Sequence, residues 1–304
     1  MTMQHPQRLI DAHFHLWNLN ACHYPWLSDQ YQANTFMGDY RTLCKNYMLN
    51  DLRQDTAQVE LIAGVHIEAE HSRINPWAEL EWLQHQQQQH AFNMVYIAYA
   101  PMLADDISAY LSQLNRMNRV RGVRYKPVTS LDPNAVKPRG AGSLHDPQLR
   151  QNLNLLTQYN WVWDARVPYW HLHELAQLAH QLPELTIAVE HMGLPWGRGK
   201  EQLNQWALGM QQLADCPNIS VKLSELSTPD RQWHWNENIE LMQKVIDWFG
   251  IERCMFASNY PVAGLLMPYE KLVNAAQAAL VGMSDQQCEQ FFVHNAAQLY
   301  QIKL

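Results

Sequence analysis

Three histidines carry the first chemical signal. His13 and His15 stand one residue apart in LIDAHFHLW (Leu9 to Trp17), and His191 lies near the end of TIAVEHMG (Thr186 to Gly193). Imidazoles are common metal ligands and also act as acids or bases near neutral pH. On a strand, alternation sends Asp11, His13 and His15 one way and Ile10, Ala12, Phe14 and Leu16 the other. By the same rule His191 shares a face with Ile187 and Val189. The plain alternative for each ring is a hydrogen-bonded core histidine, and what weighs against it is the company these rings keep. In VHIEAE (Val65 to Glu70), His66, Glu68 and Glu70 share a face. Two carboxylates at the end of a buried strand are costly unless paired or functional, so Glu68 and Glu70 are candidate bases or substrate anchors.

Cations recur at equivalent places. Arg124 aligns with Lys126 in GVRYKP, and Arg166 with Asp164 in WDARV, so three positive groups can reach one mouth and draw a carboxylate-bearing substrate. Salt bridges inside the fold are the competing reading. VKLSEL sets Lys222 and Ser224 on one face and Glu225 on the other, and alternation alone leaves open which set points inward. Lys222 is preferred as the substrate contact.

Groups so far apart in the chain meet only if regular elements carry them. Eight β-rich runs recur, at 9–17, 61–70, 94–102, 120–127, 161–167, 185–193, 219–226 and 254–262. Between them lie segments with helical spacing, such as WAELEWLQHQQQQH, DPQLRQNLNLLTQY and WNENIELMQKVIDWF, several opened by Asp, Asn or an early Pro. Eight strands alternating with helices predict a parallel (β/α)8 barrel, one domain over residues 1–304, with its active site at the C-terminal ends of the strands. The longest irregular pieces, 18–42, 129–144 and 227–233, each follow a predicted strand, which places them at that mouth. HQQQQH closes a helix and reads as a solvated face. Cys22 and His23 are followed directly by YPWL, which reads as loop packing.

Composition narrows the partners. A formal net charge of −7 without any Lys/Arg block argues against a nucleic-acid surface or a polybasic membrane patch, and favours a small molecule. No uncharged apolar run reaches the length of a membrane span and no apolar leader opens the chain, so a cytoplasmic location is expected. Five scattered cysteines without a CxxC pair are expected to be free thiols. The pattern does not set the number of subunits.

In this order the strands resemble the amidohydrolase superfamily, in particular the branch of barrel hydrolases that contains sugar-acid lactonases and 2-pyrone-4,6-dicarboxylate lactonase. DAHFHLW, YPWL, GVRYKP, EHMGLP, VKLSEL, FASNYPV and HNAAQLY carry the resemblance over nearly the whole chain. It implies that His13 and His15 form the first-strand pair, His191 the sixth-strand histidine and Lys222 the seventh-strand lysine, with His13, His15 and His191 as ligands if a metal is bound. Asn259 then takes the eighth-strand position, where catalytic members typically carry Asp.

An amide has no proton to exchange near neutral pH and does not neutralise a dication. At most one divalent ion, zinc or manganese, is therefore expected, weakly held or absent, and a base is to be sought at Glu68, Glu70 or a histidine. The expected activity is the opening of a small carboxylate-bearing lactone or related cyclic ester by activated water. Arg124, Lys126 and Arg166 would hold the carboxylate, His13, His15 and His191 would polarise the carbonyl, and Asp11 would fix a histidine tautomer. The rivals are a metal-dependent non-oxidative decarboxylase of an aromatic or pyrone carboxylate, and a ligand-binding barrel without turnover.

Overall fold

Short runs rich in Val, Ile and Ala, apolar on both sides, suit parallel strands covered on each face. Eight such strands form in the computed structural model, which describes residues 7–32, 37–228 and 232–304. They are β1 (Arg8–Phe14), β2 (Glu60–Ile67), β3 (Met94–Tyr99), β4 (Val120–Arg124), β5 (Val162–Ala165), β6 (Ile187–Val189), β7 (Ile219–Leu223) and β8 (Cys254–Phe256). Each pairs in parallel with the next, in chain order. The circle closes just beyond β8, where His13 O accepts from Asn259 N and Tyr260 O accepts from His15 N, both at 2.8 Å. This is the expected single-domain (β/α)8 barrel.

The strands are shorter than the apolar runs that announce them, and the surplus at each C-terminal end forms the mouth. Outer helices follow the expected spacing, including Ala78–His90, Pro147–Asn154 and Trp235–Phe249. Asp146 opens the second of these by accepting from Gln148 N at 2.9 Å, ahead of Pro147. Among the described residues, no helix is long and apolar enough to cross a membrane.

Two local features set the site. Along β1, Asp11 pairs with Gly64 but Phe14 with His66, so three steps on one strand oppose two on the other, a bulge. The bulge breaks the expected alternation. Asp11 turns to β8 and its helix, accepting from Ser258 N (2.9 Å), Ser258 Oγ (2.5 Å), Tyr269 OH (3.0 Å) and His13 N (3.0 Å). Among the described residues it meets no histidine ring, so it fixes the tautomer of none of the site histidines; burial is the main cause that pushes its carboxyl up to about 6. The HNAAQLY segment closes the opposite end. Asn295 Nδ2 donates to Ile251 O and Cys254 O at 2.6 Å each, and Tyr300 OH donates to Asp164 Oδ2 at 3.1 Å inside the barrel.

Candidate active site

At the C-terminal mouth a cavity of about 250 Å³ is walled by His15, Glu70, Arg124, Lys126, Arg166, His191, Glu225 and Asn259, with Trp26, Met37 and Val262 as its apolar side. Trp26 and Met37 come from the long segment after β1, as its place in the chain suggested. Four wall residues have left-handed backbones: Glu70 (φ 59°), His191 (55°), Glu225 (47°) and Asn259 (58°). Each lies two or three residues past its strand, where a turn of the chain swings the side chain over the barrel. Such conformations cost on the order of 1–3 kcal/mol apiece for residues other than glycine and persist only where their surroundings over-determine them.

The three imidazoles converge. The His13 ring lies 4.6 Å from that of His191 and 5.0 Å from that of His15, centroid to centroid. His15 Nδ1 sits 2.8 Å from Ile67 O. A carbonyl only accepts, so Nδ1 carries the proton and Nε2 presents a lone pair. That Nε2 stands 3.3 Å from His13 Nε2, while His13 Nδ1 stands 3.7 Å from Glu190 Oε1. Either neutral tautomer of His13 therefore aims one lone pair at another acceptor. Protonation does not relieve this, because burial, then the charges of His191 and Lys222, hold His13 well below the usual imidazole range. Burial likewise lowers His15, with Arg124 next, and His191, with Arg166 next.

A metal ion fits that arrangement. His13 Nδ1 and both Glu190 carboxylate oxygens are buried without a hydrogen-bond partner, and donor atoms of His13, Glu190 and His191 lie within 4.8 Å of one another. Two nitrogens held about 2.0–2.1 Å from one tetrahedral ion stand roughly 3.3–3.4 Å apart, which matches the 3.3 Å between the Nε2 atoms of His13 and His15. His13, Glu190 and His191 could hold it together, and His15 adjoins the group through His13 Nε2.

Around this group the charges form a chain. Arg124 Nε donates to Glu68 Oε1 at 2.8 Å and its NH2 group to Glu68 O. NH1 of the same residue lies 3.7 Å from Glu190 Oε2. Arg73, stacked 3.7 Å over the Tyr99 ring, binds Glu68 at 3.0 Å and Glu70 at 3.4 Å, and Lys126 pairs with Glu70. Burial alone would raise Glu68, but Arg124, Arg73 and Lys126 overturn that and hold its carboxyl well below the usual range. A carboxylate so saturated by guanidinium groups is a poor base. Lys126 is pushed down to about 8, by burial first and Arg124 second, against the pull of Glu70. Arg166 lies over the Trp196 ring at 5.5 Å.

One expected contact lies elsewhere. Lys222 is wholly buried beneath the cavity, its ammonium paired with Asp164 from across the lumen and 5.1 Å from the Tyr300 ring. It lines no part of the cavity, and it reaches the site only as a charge felt by His13 and His191.

Glu190, Glu225 and Arg73 escape the sequence pattern, and His191, which the sequence names, enters by another route than alternation gives. In register, Ala188 pairs with Asp164, so Ala188 and Glu190 form the inward set of β6, not Ile187 and Val189. His191 reaches the site through its left-handed turn, and its Nδ1 sits 2.8 Å from Ser224 Oγ. Glu225, which alternation sets opposite Lys222, enters the cavity wall by the same device, and its Oε2 accepts from Asn259 Nδ2 at 2.7 Å. Arg73 follows Glu70 by three residues and needed only the turn after β2 to reach it. The one usable signal was EH in EHMG, a carboxylate adjoining a candidate ligand.

Barrel, closure and histidine cluster define the class: the chain belongs to the amidohydrolase family, whose model matches residues 10–302. Among its relatives, the uncharacterised protein y4mH of Sinorhizobium fredii is 31% identical over 296 residues, covering 97% of this chain and 98% of the relative. The L-fucono-1,5-lactonase of Burkholderia multivorans is 22% identical over 281 residues, 88% of this chain and 87% of the enzyme. Solved structures share the fold. An amidohydrolase from Burkholderia multivorans with bound zinc superposes with a TM-score of 0.79 at 20% identity, over 97% of this chain and all of that one (100%). A structure named for a 2-pyrone-4,6-dicarboxylic acid hydrolase of Pseudomonas putida gives 0.69 at 20% identity, over 99% and 100% of the two chains. The 2,6-dihydroxybenzoate decarboxylase of Rhizobium gives 0.63 at 13%, over 97% and 99%.

Proposed function

We propose that the protein is a hydrolase that opens a small carboxylate-bearing lactone or related cyclic ester at the mouth of the barrel. The observation that carries this reading is that Arg124, Lys126 and Arg166 share one cavity wall with His15 and His191. Arg124 and Lys126, with Arg166 beside them, hold the carboxylate; a guanidinium offers it a bidentate fork and an ammonium a point charge. The ring carbonyl then lies toward His15 and His191, where an N–H of His191 stabilises the oxyanion that develops as water adds. A divalent ion bound by His191 and His13, with Glu190 or His15 completing the set, would supply Lewis-acid polarisation of that carbonyl. Trp26, Met37 and Val262 exclude bulk water from the apolar face of the ring. The lactonase relative supports the same chemistry.

A panel of sugar lactones and pyrone carboxylates, followed by pH-stat with and without chelator, tests the reading. Opening of at least one carboxylate-bearing lactone is expected. Carbon dioxide release with near-stoichiometric zinc or manganese would replace it with decarboxylation. Tight dicarboxylate binding without product would replace it with a binding barrel.

A further inference from the structure

We infer that Glu225 is the proton acceptor of this site and that Asn259 positions it. The inference rests on the hydrolytic reading above and adds to it the group that activates water.

Besides Glu225, five carboxylates of the barrel interior and the cavity wall come into question, and each has other employment. Asp11 takes four hydrogen bonds from β1, β8 and the helix beyond. Asp164 is tied to Lys222 and Tyr300 below the cavity. Glu68 is saturated by Arg124 and Arg73, and Glu190 stands fully buried among Arg124 and two imidazoles. Glu70 reaches the wall but is bound by Lys126 and Arg73.

Glu225 differs in kind. It lines the cavity, and its two oxygens accept from neutral donors: Asn259 Nδ2 at 2.7 Å on one, Ser227 Oγ on the other. Among the described residues no cation lies within 4.0 Å of it; Arg166, from the end of β5, is the cation that feels its charge. Each carboxylate oxygen has two acceptor positions, so each keeps one for a water. The backbone of Glu225 is left-handed at φ 47°, a conformation that favours glycine. Glu70, His191 and Asn259 of the same wall share that conformation. Asn259, itself left-handed, cannot take a proton, but its NH₂ group fixes the neighbouring carboxylate; the acid that the eighth strand lacks is supplied from the end of the seventh.

The step balances within the site. Glu225 removes a proton from water as the water oxygen bonds to the lactone carbonyl carbon, leaving a tetrahedral oxyanion and a carboxylic acid. Collapse breaks the ring C–O bond, and the departing alkoxide takes the proton back from Glu225. Lactone and water become a hydroxy acid, whose ionisation is the proton that a pH-stat counts.

The test uses the lactone that the wild-type protein opens fastest, with kcat and KM measured from pH 5 to 9 for E225Q, E225G, N259D and the swap E225Q/N259D. Loss of a general base predicts that kcat falls about 10²–10⁴-fold in E225Q and E225G while KM moves less than about threefold. Glycine suits the left-handed backbone, so E225G is expected to melt no lower than wild type, and added formate to restore part of its rate. N259D sets two carboxylates 2.7 Å apart and shifts the acid limb of the profile upward. The swap moves the carboxylate to position 259 and regains at least about tenfold over E225Q. E225Q or E225G within about threefold of wild-type kcat overturns Glu225 alone. Wild-type protein inert across the whole panel overturns the hydrolytic reading and this inference with it.

Discussion

Replacing Lys222 with Met decides whether that lysine supports the barrel or touches substrate. Its ammonium and the Asp164 carboxylate are both fully buried and face each other across the lumen. Lys222→Met keeps the stem length and removes the charge, leaving a buried carboxylate without its counter-ion, a change that costs about 3–5 kcal/mol. With an unfolding entropy of roughly 2.1 cal/mol/K per residue over 304 residues, that loss lowers Tm by about 5–8 °C. Adding Asp164→Asn removes the orphaned charge while still accepting from Tyr300, so the double variant is expected within about 1 kcal/mol of wild type, because a buried pair contributes little net stability. The pH dependence gives a second readout. Asp164 sits at about 6, raised by burial and pulled back by Lys222. A carboxyl raised in the folded state contributes stability at low pH that is lost as pH rises through its folded value, here between about 4 and 6. Without Lys222 that value moves higher still, so the deficit of Lys222→Met shrinks on acidification toward pH 5. Thermal and urea unfolding of the two single variants and the double variant measure the coupling. A Lys222→Met protein as stable as wild type whose KM rises tenfold or more refutes the structural assignment.

Lys126 titrates at about 8, so it is an ammonium below that pH and an amine above it. KM for a carboxylate substrate is expected to rise as pH passes upward through 8, and K126R, whose charge persists, to keep KM flat; an unchanged wild-type KM from pH 7 to 10 would remove Lys126 from substrate binding. Glu190→Gln and His13→Ala are expected to lower zinc content and the zinc-induced gain in Tm together, measured by metal analysis and thermal unfolding with and without added zinc; equal zinc content in wild type and both variants would sink the proposed ligand set.

The fold was legible because the physics that sets it is local and periodic. Runs such as VYI and IAV are short and rich in β-branched residues, the intervening segments repeat at helical spacing, and eight alternations admit few other architectures. The cations Arg124, Lys126 and Arg166 were legible for the same reason, since alternation carries them to one end of consecutive strands. Depth along the lumen is not periodic. Lys222 obeys the same inward pattern as Arg124, yet one is a cation of the floor and the other a cation of the mouth. Only the stagger of the strands and the closing segment with Tyr300 separate them.

What escaped was governed by non-repetitive backbone. A bulge in β1 turned Asp11 away from His13, and left-handed residues after β6 and β7 brought His191 and Glu225 inward against alternation. Glycine announces such turns; His and Glu do not, because here the surrounding contacts impose the conformation. These contacts are visible: Trp206 Nε1 donates to Met192 O at 2.7 Å, Ser224 holds the His191 ring, and Asn259 holds Glu225.

Left-handed backbones occur elsewhere in the described residues, at Ala91, Arg119 and Leu194 among others, but four of them meet at this mouth. Glu70, His191, Glu225 and Asn259 are contributed by four different strands, and all four line one cavity. At about 1–3 kcal/mol each for the three that are not Asn, their joint cost is comparable to the whole net stability of an ordinary domain, about 5–15 kcal/mol. A chain selected for stability alone would place glycine at 70, 191 and 225. Charged and imidazole side chains at those three places are what the turns hold over the mouth of the barrel. For that reason a glycine at 225 that leaves stability intact and removes turnover would connect the backbone conformation of this site directly to its chemistry.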